Sequence, residues 1–310
     1  MTLERYFEEL AQGDEVLQHS RLASLSGLDS TEMEHLRHWW PSIPTDRRQE
    51  MMSRLVTLAE DEVDLDFDAV FRHSLKDDDP VVRERAISGL WECDDRTLIS
   101  SLITLLKEDP VERVRASAAL SLGRFSTLAA LGKLLPKDGE RVQEALIGVV
   151  ENDAESAEVR RRALESVAVF NEGDIPQLIQ DAYHSDDETM QLSAVYAMGL
   201  TCNTTWLSTI FSELNSNDPA MRYEAANACG EMGEEEAVPY LIALLKDDDL
   251  QVQLASIRAL GILGGRPATR ALQECLRSDE EAIKEAAEAA LEQTEAEGSP
   301  FNFRSRLNQR

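Results

Sequence analysis

Apolar residues return along this chain on a beat of 31. From Val82 the same position recurs at Val114, Val159, Met190, Met221, Val252 and Ile283, in steps of 32, 45, 31, 31, 31 and 31 residues. A fixed period of this size marks stacked supersecondary units, none of which can bury its apolar face alone. One residue after each anchor stand Arg83, Arg115, Arg160, Gln191, Arg222, Gln253 and Lys284. Four after it come Ala86, Ala118, Ala163, Ala194, Ala225, Ser256 and Ala287, and seven after it a further run of Gly, Ser and Ala. At eight stand Leu90, Leu122, Val167, Met198, Cys229, Leu260 and Leu291. Offsets 0, 4, 7 and 8 share one face of a 3.6-residue helix, so the pattern predicts a first helix, A, in every unit. Small residues at two of those places bring neighbouring axes to the short end of the usual spacing, roughly 8 Å.

Three residues before the anchor come Asp79, Ser156, Asp187, Asp218, Asp249 and Glu280. Asp79, Asp187, Asp218 and Asp249 are expected as structural caps, accepting from the first free amides of helix A and suiting its dipole. Pro80 and Pro219 follow at the first helical position, where a missing N–H costs nothing. A second helix, B, is marked by Leu102 and Leu106, Ile210 and Leu214, Leu241 and Leu245, Leu272 and Leu276. Each unit is thus a helical hairpin. The frame extends backwards: Met51 precedes Val82 by 31, and residues 46–79 read as a degenerate first repeat. At the other end Glu288 and Glu292 replace small or apolar residues, as a terminal capping repeat requires.

The motif Asp218-Pro-Ala-Met221-Arg222-Tyr-Glu-Ala225-Ala-Asn-Ala228-Cys-Gly230 resembles bacterial HEAT-like repeats, the short type also found in phycobilisome lyase subunits. The resemblance covers about residues 46–294 and implies an all-α fold, a right-handed superhelical α-solenoid of seven to eight units. In that family the B helices line the concave surface, and Asp and Arg positions form a ladder between repeats. The expected organisation is an N-terminal helical cap over 1–45, the solenoid over 46–294 with an enlarged unit at 111–158, and a C-terminal tail over 295–310.

Composition narrows the function classes. The 310 residues carry 59 acids against 31 bases, a formal charge of −28. Many acids are caps and turns, and solvation accounts for them; the second reading is a negative field that attracts a basic partner and repels nucleic acid and anionic lipid. Either way no nucleic-acid or membrane partner is expected, since HEAT-like DNA glycosylases need a basic track that this chain lacks. No apolar run approaches the roughly 18 residues of a membrane span, and the acidic, amphipathic first ten residues do not read as a signal peptide. Cys93, Cys202, Cys229 and Cys275 are scattered, which predicts reduced thiols and a cytoplasmic location.

Signals for chemistry are missing. None of the five histidines precedes a glutamate, so the His-Glu metal ligands of HEAT-like deoxyhypusine hydroxylases are absent. There is no zinc spacing, phosphate loop or nucleophile elbow. No catalytic, cofactor-binding or metal-ligating residue is assigned, and no cofactor is expected. Trp39 and Trp40 are read as a plug over the open end of the first repeat, and Trp206 as B-helix core. Tyr240 neighbours the B-helix stripe where other units carry Ser101, Thr209 or Ala271, which makes it a candidate partner contact.

The enlarged unit holds about 14 extra residues between Phe125 and Arg141, with Leu128, Leu131, Leu134 and Leu135 at helical spacing. That predicts an extra short helix, which either resets curvature or projects an edge. After Pro300 the tail carries Phe301, Phe303, Arg304 and Arg306 with no acid. It is either a loose terminus or a docking motif with aromatic anchors and positive flanks. The reading that follows is a non-catalytic scaffold or adaptor that grips another protein by the concave face or an edge. The alternative, from the repeat subtype alone, is a bilin lyase subunit or chaperone-like accessory factor.

Overall fold

The computed structural model describes residues 3–12 and 17–298. Among them are eighteen α-helices and no strand, and the fold is an all-α solenoid. The chain divides into two compact units, Met1–Ser166 and Val167–Arg310.

The first unit opens with α1 (Leu3–Gln12), α2 (His19–Ala23) and α3 (Ser30–Trp39). Asp29 caps α3 through a reciprocal box with Glu32. Next come α4 (Thr45–Asp61), α5 (Asp68–Ser74), α6 (Pro80–Gly89), α7 (Leu98–Glu108), α8 (Glu112–Ala130), α9 (Pro136–Val150) and α10 (Ala157–Val167). Helix α1 packs on α3 and α3 on α5, while α4, α6 and α8 pack in succession. Trp40 is buried, and its indole N–H donates to Asp77 at 2.6 Å, so the plug also has a polar anchor. Trp39 is half-buried and sets its ring edge-on to His38.

The enlarged unit corrects one expectation. No extra short helix is inserted; the additional residues lengthen α8 to 19 residues and α9 to 15. Phe125 and Ser126 are fully buried, which keeps α8 winding past the usual end. It stops where Gly132 takes the left-handed conformation (φ 69°), with Lys133 N–H donating to Leu128 and Gly132 N–H to Ala129. Those two bonds satisfy the last carbonyls as a glycine stop does. Leu131 and Leu135 stand exposed in the link, so their helical spacing was not that of a core face.

The second unit comprises α11 (Ile175–Tyr183), α12 (Glu188–Leu200), α13 (Leu207–Glu213), α14 (Pro219–Met232), α15 (Val238–Leu244), α16 (Leu250–Leu263), α17 (Gly265–Cys275) and α18 (Glu281–Gly298). The A helices α12, α14, α16 and α18 pack each on the next, with α13, α15 and α17 laid against them. A glycine nine residues after the anchor makes the tightest crossings. A Cβ on Gly199 would lie 2.7 Å from the Cα of Ala228, and one on Gly261 2.8 Å from the Cβ of Ala290. Small residues there set the helix spacing. Leu106 and Leu214 are buried, but Leu276 is exposed, because no later B helix covers it among the described residues.

Candidate partner-binding surface

The polar residue after the anchor performs one recurrent task and one optional one, except that Lys284 pairs with Glu281 instead. The recurrent task is a bond back to the turn before its own helix. Arg83 donates to the carbonyl of Asp77 at 2.7 Å, Arg115 to Asp109 at 2.8 Å, Gln191 to Ser185 at 2.7 Å and Arg222 to Ser216 at 2.8 Å. These bonds satisfy carbonyls that would otherwise face a crowded turn. The optional task needs a guanidinium. Arg83 reaches on to Asp109 with two bonds of 2.7 and 2.9 Å, Arg115 to Glu155 with 2.9 and 2.8 Å, and Arg222 to Asp247 with two of 2.7 Å. Asp77 is met from a different register, by Arg48, three residues before Met51. The side chains of Arg83 and Asp109 are only 9% and 3% exposed, so the planar fork also satisfies acids that water barely reaches. Hydrogen bonds from Arg222 hold the Asp247 carboxyl below its ordinary pKa.

The acids of these rungs stand five residues before an anchor, or four for Glu155, and not at the cap position. In Asp77-Asp78-Asp79 the first takes the rung, the last caps α6 through the amides of Val81 and Val82, and the middle one faces solvent. Asp247-Asp248-Asp249 repeats the division, with Asp249 accepting from Gln251 and Val252. Asp187 accepts from the amides of Thr189 and Met190, and Asp218 from that of Ala220.

Two steps of the second unit lack a rung: Gln191 and Gln253 are too short to cross, and the positions that would receive them are Ser216 and Ser278. The first of these steps is the one beside the aromatic residues of the B helices. A cavity of about 520 Å³ lies there, lined by Tyr183, His184, Asp186, Gln191, Glu213, Ser216 and Asp218 among others. It has four carboxylates on its walls, including Glu188, and no lysine or arginine. The phenol of Tyr183 donates to Glu213 at 2.5 Å. Burial first, and that carboxylate second, push the tyrosine pKa up to about 12, so the proton stays on the phenol.

The wall helix α13 also faces the next hairpin. Phe211 stacks on Tyr240 with ring centroids 4.7 Å apart and planes 21° from parallel. Tyr240 is 44% exposed, so one face of the pair is open to a partner. Tyr183, Glu213, Phe211 and Tyr240 therefore form a strip across three consecutive B helices. Reading within one unit singled out Tyr240 but missed Phe211 and the cavity. Part of the signal was present in the joint change from Arg222 with Asp247 to Gln191 with Ser216, a change that Gln253 with Ser278 shares.

Phe301, Phe303, Arg304 and Arg306 lie outside the described residues. Trp206 is half-buried, with an indole N–H that finds no acceptor. Burial raises all four thiol pKa values, Cys229 to about 12, so none is a ready thiolate. Among the described residues no cluster of His, Cys, Asp and Glu could hold a metal ion, and no helix is long and apolar enough to cross a membrane.

The family of HEAT repeats matches residues 69–151 and 207–292, more than half of the chain. No curated protein matches it. Similar solved structures include the complex of CpcE and CpcF of phycocyanin lyase from Nostoc sp. PCC7120, 15% identical over 91% of this chain and 96% of that one, with a TM-score of 0.52. Another is YibA of Escherichia coli, 18% identical over 78% of this chain and 96% of that one, with a TM-score of 0.44. At these identities the likeness is one of fold.

Proposed function

Because the chain belongs to the HEAT-repeat family, we propose that it is a non-catalytic scaffold that grips a protein partner along the B-helix strip of its second unit. The open rung carries the proposal. Where the following repeat closes with the guanidinium of Arg222, this step leaves a cavity walled by Asp186, Glu188, Glu213 and Asp218. A lysine or arginine of the partner supplies the missing cation, and the Phe211–Tyr240 stack receives the apolar part of the same segment. Aromatic anchors beside a charge pair are the usual concentration of binding energy in an interface. The partner is thus a protein with a basic segment, and the net charge of −28 favours its approach. The segment over 1–45 is proposed as a helical cap on the first repeat, and Phe301, Phe303, Arg304 and Arg306 of the tail as further partner contacts.

A photo-crosslinking residue placed at position 240 in the source cells tests the reading. It is expected to trap a discrete partner, and Glu213→Arg is expected to abolish the adduct. Equal trapping from position 258, exposed on an A helix, would count against the strip. The fold likeness to the phycocyanin lyase complex keeps the accessory role in bilin attachment as a second reading. Co-expression with a bilin-carrying protein separates the two: a coloured adduct that depends on this chain supports the second reading, and its absence the first.

A further inference from the structure

Against the acidic strip, the first unit holds a basic cavity. It measures about 380 Å³ and is lined by Met33 and Arg37 of α3, Ala69, Arg72 and His73 of α5, and Lys76 just beyond α5. No carboxylate lines it, in a chain with nearly twice as many acids as bases. Arg72 is already engaged, donating to Asp95 at 2.9 Å and to Thr97 at 3.0 Å. Arg37 and Lys76 are exposed and make no ion pair among the described residues. The decisive atom is Nε2 of His73, which is buried without a hydrogen-bond partner. Such an orphaned polar atom in a native fold needs an explanation, and a group bound in the cavity that His73 lines supplies one.

Helix ends explain part of this arrangement. Arg37 and His73 stand in the last turns of α3 and α5, where positive groups offset unpaired carbonyls. That accounts for their sign, but neither for the orphaned imidazole nitrogen nor for the cavity beside it. Burial, and then the charge of Arg37, lower the His73 pKa, with Asp77 opposing and Lys76 adding to the effect, so the ring is held neutral and an incoming anion relieves it. Trp40 holds the ring edge-on at 5.5 Å, fixing its orientation.

We propose that this cavity is a binding site for a phosphate monoester dianion, held by Arg37, Lys76 and Nε2 of His73. Three donors on separate side chains suit a group with three acceptor oxygens and a charge of about −1.5 to −2 better than a two-oxygen carboxylate. Met33 and Ala69 offer an apolar wall to whatever the phosphate is attached to.

The test follows the His73 ring signal by NMR in the full chain, at constant ionic strength. The probes are phenyl phosphate, a short phosphoserine peptide, inorganic phosphate and acetate. A saturable displacement by phosphate probes at millimolar concentration or below, at least tenfold weaker for acetate, is expected. Arg37→Ser with Lys76→Ser, both at exposed positions, is expected to weaken binding at least tenfold with an unchanged melting curve. Calorimetric titration of the same variants reads binding without the imidazole, and Lys76→Ser alone serves if the pair perturbs melting. A phosphopeptide at least tenfold tighter than phenyl phosphate identifies a modified protein as the source, and equal affinities a free metabolite. No saturation by any phosphate probe, or equal affinity in the charge variants, would overturn the proposal.

Discussion

The step from Arg222 to Asp247 and the step from Gln191 to Ser216 are the same joint built two ways. In the first, a guanidinium spans to a carboxylate that is 8% exposed, and also ties down the turn behind it. In the second, an amide ties down the turn and goes no further, leaving a cavity with acids on its walls. One joint uses its charge to hold the stack together, whereas the other keeps unpaired charge at an accessible place. Stacking therefore does not need the rung at every step. The A-helix crossings at Gly199 and Gly261 continue regardless.

The sharpest way to break that contrast is to remove the side chain that follows the anchor from one joint of each kind. Arg83→Met strands the buried Asp109 carboxylate and is expected to cost about 3–5 kcal/mol. Gln191→Met removes one bond to a carbonyl and is expected to cost about 0.5–1.5 kcal/mol. Urea melts of the two variants make the comparison, and equal losses would erase the distinction between joints. Caps are next in size. Asp249→Ala loses two amide bonds and is expected to cost about 0.5–2 kcal/mol, with Asp218→Ala, which accepts one amide, toward the lower end of that range.

Acid titration sharpens the contrast further. Hydrogen bonds from Arg222 hold the Asp247 pKa down; at Glu155 burial pushes upward, but Arg115 and the hydrogen bonds from Ser156 together outweigh it and the net shift is also downward. A carboxyl with a lowered folded pKa stabilises the fold above its unfolded value and loses that contribution as pH falls through the folded one. Melting temperature is therefore expected to fall as pH drops below the ordinary carboxylate range. Arg222→Gln with Asp247→Ser, which copies the open joint, is expected to flatten that slope. An unchanged slope would show that the rungs do not carry the acid sensitivity.

The stack was legible in the sequence because its causes are local. Helical periodicity, small residues at crossings and the proline after Asp79 and Asp218 each act within a few residues. The rungs were harder to see. In Asp77-Asp78-Asp79 and Asp247-Asp248-Asp249 the three acids look alike along the chain, and only the position of the preceding repeat's arginine decides which is a partner and which a cap. The same limit hid Phe211, whose role depends on Tyr240 in the following hairpin. In the enlarged unit the apolar spacing was real, but a glycine stop at Gly132 and continued burial at Phe125 gave it to longer helices. Part of the negative charge also finds a local explanation in these triplets, which leaves a smaller share to act on a partner.

Closing the joint at Gln191 and Ser216 tests the central claim most directly. Gln191→Arg with Ser216→Asp installs the fork seen at Arg222 and Asp247 and fills the cavity. The doubly changed protein is expected to melt at or above the temperature of the original and to lose the adduct trapped from position 240. A closed joint that still yields the same adduct would contradict the account, because the cavity would then take no part in binding.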